Sequence, residues 1–383
     1  MNSEESEAKI RLFFKHSVSK VLELHKKKVN KSRLDFIELM VGALICSKSV
    51  QYHALASKIR GEAKEESHHR RIQHFMSEYD LDYDWVSYFL LLMLPNKGKF
   101  NLVIDRTTWD FGGSNCNILV VTAYSHGVGV PIWFEFLTNN GGCSDADDKC
   151  YMLLKCIELL GKSRIKSVIG DSEFIGEEWV ALLVKEGIIF YLDIRCNQYF
   201  TFSGKQWQLR EWMRGKSKSE LRGVEIFNQV LNLGIKRQKE GGKSKRKPFL
   251  AIVTNSPIGS SVGVYKNRWS IEVFFQSIKK RGFDIEMTHL NDPIRIRKLF
   301  ALVAIAFVIC FIVGIEKNKI KPIPIKNNGY KANSFFRTGR DFVRKILEHK
   351  IPQTDIEIIF NELHNRLLQS LDYNFLYLQK IVT

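Results

Sequence analysis

The sequence predicts an α/β protein in which a helical N-terminal region precedes a mixed sheet. Three observations lead to this fold class. Apolar residues recur at three- and four-residue steps through residues 1–97, short apolar runs bounded by Gly, Asn or Asp begin at Phe100, and helical patterns alternate with the later runs. A chain of 383 residues is long enough for two or three domains and a sizeable core.

The N-terminal region is predicted to be a helical DNA-binding domain over residues 1–97. The stretches "RLDFIELMVGALICSK" and "DYDWVSYFLLLMLP" carry apolar residues at helical spacing, and the second ends at Pro95. In "ESHHRRIQHFMSEYD", Arg70 and Arg71 stand beside apolar residues, which suits a helical bundle that presents cations to DNA phosphates. Solvated arginines are the alternative interpretation.

From Phe100 the pattern changes to strands. The runs "FNLVIDRT", "CNILVVTAYS" and "GVPIWFEFL" have Gly-containing connections and predict an antiparallel meander. A helix fits "DDKCYMLLKCIELLGK", and it is followed by the strand "KSVIGD", the helix "GEEWVALLVKEG" and the strand "IIFYLDIR". The order strand-strand-strand-helix-strand-helix-strand predicts an α/β layer with a mixed sheet.

A β-rich insertion with a basic loop is predicted at about residues 196–248, where Lys, Arg, Gly and Ser are abundant and the loop reads "KRQKEGGKSKRK". The run "FLAIVTN" then returns as a strand. Residues 316–383 are predicted to be a helical C-terminal region that follows a Pro-containing connection, "KIKPIPIKNNG".

The uncharged run Leu299–Ile315 admits two interpretations. Its 17 residues reach the lower limit for a membrane helix, about 17 to 25 residues. A helix that is apolar all round is equally the buried centre of a large domain. We favour the buried helix and expect no membrane, because no second span exists and the polar helix upstream needs a surface on which to pack.

Composition indicates a polyanionic partner. The chain has 58 Lys and Arg against 41 Asp and Glu, a net charge of +17, so nucleic acid is the first candidate and an anionic membrane surface the second. Seven scattered cysteines without a CxxC pair favour a reducing cytosol over a disulfide framework or a zinc site. The polar N-terminus "MNSEESEAKI" does not resemble a secretory signal. We expect a cytoplasmic protein.

The stretch "YKNRWSIEVFFQSIKKRG", Tyr265–Gly282, is predicted to be a single helix with a polar stripe. Its apolar residues recur at helical steps, and the glycine after three cations is a normal helix stop. At about 100° per residue, Tyr265, Arg268, Glu272 and Lys279 fall within an arc of about 60°. A solvated face with intrahelical ion pairs, each worth tenths of a kcal/mol, is the alternative.

Two predicted core strands end in an aspartate, Asp105 after "NLVI" and Asp171 after "SVIG". Either residue alone could be a turn former. With Glu272 they offer the oxygen ligands that Mg²⁺ prefers, and metal ions held in such a cage activate the attacking oxygen in phosphoryl transfer. In a basic protein, this set predicts a phosphodiester-cleaving or strand-transferring enzyme.

The pattern Tyr265-x2-Arg268-x3-Glu272-x6-Lys279 resembles the YREK signature of bacterial insertion-sequence DDE transposases (insertion sequence family four), with every spacing intact. "VIDRTTWDFG" and "VIGDSEFIG", which contain the two strand-end aspartates, resemble the family's first and second catalytic segments. "IEMTHLNDPIRIRKLFAL" resembles the segment that usually follows the signature. The resemblance runs from about residue 60 to 345.

The resemblance implies a ribonuclease H-like catalytic core over residues 98–315, interrupted by the β-rich insertion. It also implies cut-and-paste DNA transposition with hairpin formation at the excised ends. Mg²⁺ would be the cofactor, with Mn²⁺ able to substitute. The partner would be double-stranded DNA, both the terminal inverted repeats and the target, and the pairing of two ends implies a dimer in the DNA complex. The location would be the bacterial cytoplasm, at the nucleoid.

The resemblance also assigns roles to the stripe. Glu272 would join the two aspartates as a catalytic metal ligand. Arg268 and Lys279 would neutralise phosphates at the DNA end, and Tyr265 would donate a hydrogen bond or stack. Cations beside Glu272 should keep it ionised, as a ligand must be.

Two positions depart from the family's pattern. Many members carry Arg directly after the second aspartate, where this chain has Ser172. Several members place a Trp in the insertion to stack on a flipped base, but "KPFLAIVTN" offers Phe249, while the tryptophans are Trp207 and Trp212. A phenylalanine offers a π-face for stacking, although a core-facing Phe249 is the favoured interpretation.

Two rival functions remain open at this point. A non-catalytic DNA-binding protein, such as a decayed or domesticated copy, is the first, and the presence of all three carboxylates argues against it. A membrane-associated basic protein anchored by the run Leu299–Ile315 is the second. Metal-dependent cleavage and fractionation, respectively, separate these rivals from a transposase.

Overall fold

The structure is a computed structural model that describes residues 3–26, 29–95, 98–111, 114–137, 145–238, 248–348 and 356–382. The chain divides into two compact units. The helical unit comprises Met1–Lys97, Trp109–Cys116 and Phe274–Thr383, and the sheet unit comprises Gly98–Thr108 and Asn117–Val273. The domain boundaries after residues 97 and 315 stay a prediction.

Helices account for the N-terminal part of the helical unit, as the apolar periodicity predicted. They are α1 (Ser3–His25), α2 (Lys31–Ser47), α3 (Tyr52–Ala56), α4 (Glu65–Glu78) and α5 (Tyr83–Leu92). Side-chain caps set two of the starts. Asn30 accepts a hydrogen bond from the backbone N–H of Ser32 at α2, and Asp82 accepts from Asp84 and Trp85 at α5.

A sheet of ten strands, counted over the described residues, runs through the sheet unit. The strands are β1 (Phe100–Phe111), β2 (Ser114–Ser125), β3 (Val128–Leu137), β4 (Ile165–Gly170), β5 (Phe190–Asp193), β6 (Tyr199–Phe202), β7 (Lys205–Gln208), β8 (Lys218–Ile226), β9 (Gln229–Arg237) and β10 (Phe249–Thr254). Their spatial order is β3-β2-β1-β4-β5-β10-β9-β8-β6-β7.

The first five strands form the mixed sheet that the sequence predicted, in agreement with the ribonuclease H-like core that the resemblance implies. Strands β2 and β3 pair antiparallel, whereas β1, β4 and β5 are parallel. Parallel neighbours need a crossover, and a helix lies in the chain segment before each of the last two strands: α6 (Ala146–Leu160) and α7 (Glu177–Lys185). Strands β4 and β5 therefore end on the same side of the sheet, whereas β1 continues beyond its last residue paired with β4, Ile104, to Phe111.

The predicted β-rich insertion is present and extends the same sheet. Strands β6 to β9, with the short helix α8 (Leu209–Trp212), lie between β5 and β10 in sequence. Strand β10 pairs antiparallel with both β5 and β9, so the insertion continues the sheet beyond the core. Residues 239–247, which contain most of the predicted basic loop, lie outside the described residues.

The stretch from Tyr265 to Gly282 is not the single helix that its periodicity predicted. Helix α9 (Ser261–Tyr265) is followed by a 3₁₀ turn over Lys266–Arg268, and α10 (Trp269–Ile278) begins directly after it. Gly263 and Asn267 are weak helix formers in this region, which fits the tightened turn. The apolar pattern is still helical because the turn inserts no residue that breaks the spacing.

The apolar run Leu299–Ile315 lies inside the longer helix α11 (Pro293–Ile320), which precedes α12 (Phe335–Leu347) and α13 (Ile356–Val382). By length and composition, α11 is the one helix among the described residues that could cross a membrane, and its apolar window is wholly buried in the structure. A buried core helix passes the same test, so the buried interpretation is the one that the packing supports.

Two glycines allow helices α11 and α12 to approach closely. A Cβ atom at Gly314 would lie 1.8 Å from the carbonyl oxygen of Phe335, and one at Gly339 would lie 1.8 Å from the carbonyl oxygen of Cys310. No side chain fits at either distance. The absence of a side chain at these positions therefore lets the two backbones touch.

Candidate active site

Asp105 and Asp171 lie side by side on neighbouring parallel strands. Asp171 directly follows the end of β4, as predicted, but the prediction that Asp105 ends its strand was wrong, because β1 continues to Phe111. Ile104 of β1 is in register with Gly170 of β4, so Asp105 and Asp171 occupy the next position on neighbouring strands. In a parallel pair, residues in register lie on the same face of the sheet. The topology thus brings together two carboxylates that are 66 positions apart in sequence.

Asp105 is buried, with 8% of its surface exposed, and both of its oxygens are engaged. Oδ1 accepts a hydrogen bond from the backbone N–H of Arg106 at 2.8 Å, and Oδ2 accepts one from Nη1 of Arg268 at 3.2 Å. Burial raises the pKa of Asp105 to about 7, the neighbouring charge of Asp171 raises it as well, and Arg268 opposes both effects. Even with the Arg268 cation beside it, Asp105 is therefore not fully ionised near neutral pH, and further positive charge would favour its ionised form.

Asp171 begins a tight turn after β4. Its Oδ1 accepts a hydrogen bond from the backbone N–H of Glu173 at 2.8 Å, and its carbonyl oxygen accepts one from the N–H of Phe174 at 3.0 Å. A Cβ atom at Gly170 would lie 2.7 Å from Cβ of Phe174, so glycine is required where the turn folds back on the strand. The turn itself orients the carboxylate.

Glu272 lies on helix α10 and is linked to Asp105 by the side chain of Arg268, which contacts both carboxylates. Nη2 of Arg268 contacts Oε1 of Glu272 at 3.2 Å while Nη1 contacts Asp105. One guanidinium thus joins the carboxylate of Asp105 on β1 to the carboxylate of Glu272 on α10, and the side chain of Arg268 is 20% exposed. The alternative interpretation treated Arg268 and Glu272 as a solvated intrahelical ion pair. In the structure, this ion pair is part of a larger charged cluster.

The cluster meets the chemical requirements of a divalent metal site. Carboxylate oxygens are the donors that Mg²⁺ and Mn²⁺ prefer. Among the described residues, no group of three or more His, Cys, Asp or Glu side chains is arranged to hold a metal ion as it stands. The guanidinium of Arg268 instead takes the position of a cation between Asp105 and Glu272. The oxygen donors of the cluster and the repulsion between its carboxylates are both suited to the binding of a divalent cation.

Sequence reasoning missed a third aspartate on the same edge. Gly170 of β4 is in register with Leu192 of β5, so Asp193 is level with Asp171. Asp193 is 4% exposed, and the Tyr265 hydroxyl lies 3.5 Å from its Oδ2. Burial first and Asp193 second raise the pKa of Tyr265, so the phenol keeps its proton and donates. The signal was present, since "IIFYLDIR" is a strand that reaches an aspartate as "KSVIGD" does.

The last member of the predicted stripe, Lys279, follows the end of α10. Its Nζ lies 3.0 Å from Oε1 of Glu286, and its side chain is 25% exposed. Lys280 beside it is exposed. Lys279 and Lys280 therefore differ in environment although they carry the same charge.

The other predicted DNA contacts differ in exposure. Arg70 and Arg71 are both exposed on α4, and the guanidinium of Arg71 lies 4.5 Å from the ring centre of Phe36. Phe249 is only 4% exposed in β10, and Arg237 covers its ring at 4.8 Å. The geometry of Phe249 is that of the core-facing interpretation, and its role in DNA binding stays a prediction.

Exposed aromatic surface occurs instead at Trp269, the first residue of α10. Its side chain is 60% exposed directly after Arg268. In the insertion, Trp207 and Trp212 pack edge to face at 5.2 Å and are partly exposed. Sequence reasoning did not single out Trp269, because periodicity alone does not distinguish an exposed aromatic from a buried one.

Comparisons with known proteins give two similarities. The family model described as "Transposase DDE domain" matches residues 99–309, which is more than half of the chain. No curated protein matches the chain. Similar solved structures include a piggyBac transposase chain in a synaptic complex with hairpin DNA, determined by cryo-EM. The sequence identity is 13% and the TM-score 0.47, over 94% of this chain and 85% of that chain.

Proposed function

This chain belongs to the transposase DDE domain family, and on that premise we propose that it binds the two ends of an insertion sequence and moves the element by a cut-and-paste mechanism. The intact spacing of Tyr265, Arg268, Glu272 and Lys279 supports a place among the insertion-sequence transposases with the YREK signature, family four. Phosphodiester cleavage followed by strand transfer is the proposed reaction.

One observation carries the proposal. Three carboxylates that are far apart in sequence, Asp105, Asp171 and Glu272, are coupled within one cluster, since the charges of Asp171 and Glu272 both act on Asp105. A structural role alone does not account for collecting acidic groups where they repel one another. The cluster is best explained as a binding site for a cation.

We assign Asp105, Asp171 and Glu272 as the ligands of a divalent cation, Mg²⁺ with Mn²⁺ as a substitute. Such a cation supplies Lewis acidity for attack on a phosphodiester. The chain itself orients the carboxylates, through the backbone N–H of Arg106 at Asp105 and that of Glu173 at Asp171. Preorganised ligands of this kind lower the cost of assembling a reactive geometry.

The DNA end is proposed to lie against the cationic side chains. Arg268 would exchange its carboxylate contacts for a phosphate, and Lys279 would bind a second one. Arg70 and Arg71 on α4 would contact the duplex backbone, where exposure and charge suit phosphate binding. Tyr265 would act from its buried position beside Asp193, by fixing the turn that carries Arg268.

The two rival functions are weaker on specific grounds. A non-catalytic DNA-binding protein would not need a buried carboxylate whose pKa is raised to about 7. A membrane-anchored protein would need α11, whose apolar window is buried in the structure. We further propose a dimer in the complex with double-stranded DNA, both terminal repeats and target, in the bacterial cytoplasm at the nucleoid.

The experiment is a strand-cleavage assay on DNA that flanks the gene. A linear duplex that contains a short inverted repeat from that flank is incubated with the protein in Mg²⁺, in Mn²⁺ and in EDTA. We expect nicks at the repeat boundary in either metal and none in EDTA. Binding to the duplex without cleavage in both metals would instead support the non-catalytic rival.

A further inference from the structure

Arg106 and Glu173 connect the two segments that carry Asp105 and Asp171. Nε of Arg106 lies 2.8 Å from Oε1 of Glu173, and its Nη2 lies 3.1 Å from Oε2. Both side chains are largely shielded, with 16% and 17% of their surface exposed. Nη2 donates a hydrogen bond to Oε2, while the shorter Nε contact is an ion pair, so the two charged groups meet at two pairs of atoms, which restrains both distance and orientation. The pair is therefore stiffer than an ordinary surface ion pair.

Each partner of this ion pair also holds one aspartate through its own backbone. The N–H of Arg106 donates to Oδ1 of Asp105, and the N–H of Glu173 donates to Oδ1 of Asp171, both at 2.8 Å. The two carboxylates are thus linked by a continuous set of contacts that consists of two backbone N–H groups and one ion pair. The ion pair opposes any movement that would change the distance between the two aspartates.

Helix α6 holds the same turn from a second side. Lys149 is buried at 6% exposure, and its Nζ donates to the carbonyl oxygen of Glu173 at 3.1 Å. The turn after β4 is therefore fixed both at the Glu173 side chain and at its backbone. Such restraint is needed because Asp105 and Asp171 repel each other when both are ionised.

We propose that Arg106 and Glu173 are positioning residues that set the spacing of Asp105 and Asp171 and thereby the affinity of the site for a divalent cation. This inference rests on the proposed function, because it concerns the carboxylates assigned there as metal ligands. Groups that orient metal ligands typically change metal affinity by about 10- to 100-fold when they are replaced.

The variant Arg106→Gln separates positioning from simple electrostatics. Removing a cation beside carboxylates would, through the electric field alone, tighten the binding of a divalent cation. Loss of the positioning contact predicts the opposite. In the full-length protein, the melting temperature is followed against MnCl₂ concentration, and the half-saturating concentration is the readout. We expect it to rise about 10-fold in Arg106→Gln.

Charge reversal supplies a second test that tolerates some loss of stability. Arg106→Glu and Glu173→Arg should each weaken Mn²⁺ binding, and the double variant should recover to within about 3-fold of the wild type, since it restores the ion pair in reverse. Lys162→Gln is the matched control. It removes a cation from an exposed ion pair with Glu186 at the opposite end of β4 and should leave Mn²⁺ binding unchanged.

The outcomes distinguish this inference from the proposed function. If Mn²⁺ does not raise the melting temperature of the wild type, the assigned metal site fails, and the positioning role fails with it. If the wild type responds but Arg106→Gln binds Mn²⁺ as tightly or more tightly, the positioning role is overturned while the proposed function stands. Failure of the double variant to improve on both single reversals also overturns it.

Discussion

At the scale of single residues, Asp105 is held where burial and a neighbouring acid both oppose its charge. Its pKa rises from 3.8 to about 7. Because the folded-state value is the higher one, its contribution to stability is fully present below about pH 4 and is lost as the pH rises to about 7. Metal-free Asp105→Asn should therefore be more stable than the wild type at pH 8, by about 4 kcal/mol, and should show no advantage at pH 4.

The measurement for this expectation is chemical denaturation in EDTA across the pH range. Asp80→Asn, at an exposed position, is the control and should show no such trend. A constant difference between Asp105→Asn and the wild type at all pH values would contradict the raised pKa.

A second residue-scale expectation compares Lys279 with Lys280. Lys279→Ala should weaken binding to the DNA end and slow cleavage, because misplacing the scissile phosphate can cost about 100-fold in rate. Lys280→Ala should be milder, since Lys280 is exposed and points elsewhere. Both changes remove one positive charge, so bulk charge is controlled. Equal effects in binding and cleavage assays would mean that the two lysines form only a diffuse basic surface.

The residues of the cluster were partly accessible from sequence. Asp105 and Asp171 follow apolar runs, which predicts strand ends. The structure places Asp171 directly after β4 but Asp105 within β1, which continues to Phe111, and the two residues are neighbours because Ile104 is in register with Gly170. The pairing of Arg106 with Glu173 was not predictable, because it depends on the register between β1 and β4. The partner of Tyr265, Asp193, depends likewise on the register of β4 with β5.

At the scale of elements, the contact between α11 and α12 depends on glycine. Gly339→Ala would place a methyl group 1.8 Å from the carbonyl oxygen of Cys310, so the helices must separate. We expect destabilisation by about 2 kcal/mol or more, since overpacking typically costs about 1–3 kcal/mol. Differential scanning calorimetry should show a lower melting temperature.

Gly42→Ala is the matched control for that variant. Gly42 lies within α2, and the nearest side-chain atom, Cδ1 of Leu347, would be 3.9 Å from the added methyl group. Alanine favours a helix over glycine by about 0.5–1 kcal/mol, so this variant should be neutral or slightly more stable. Similar losses in Gly42→Ala and Gly339→Ala would contradict a specific close approach.

Elements were predicted best where one periodicity persisted. The core strands in "FNLVIDRT", "KSVIGD" and "IIFYLDIR" and their order along the chain were predicted, and α11 followed from its uninterrupted apolar run. The 3₁₀ turn at Lys266–Arg268 was missed, because a local tightening leaves the apolar spacing intact. The joining of the insertion to the core sheet was missed too, since pairing between β10 and β9 is a long-range choice.

At the scale of the whole molecule, the net charge of +17 predicts strongly salt-dependent DNA binding. Log affinity should fall linearly with log salt, with a slope of about −0.9 for each phosphate neutralised. Fluorescence anisotropy of a labelled duplex over a salt series measures the slope. A nearly flat dependence would contradict an extended phosphate-binding surface and would favour the membrane-surface rival.

The central claim is that Asp105, Asp171 and Glu272 form one metal-dependent cleavage site. Its most direct test is strand cleavage in Mg²⁺ by Asp105→Ala, Asp171→Ala and Glu272→Ala, with duplex binding measured on the same preparations. We expect each variant to lose cleavage while it binds DNA nearly as the wild type does. Glu158→Ala, at an exposed carboxylate of the same unit, should cleave normally. Substantial cleavage by any of the three variants would remove that residue from the site and contradict the account.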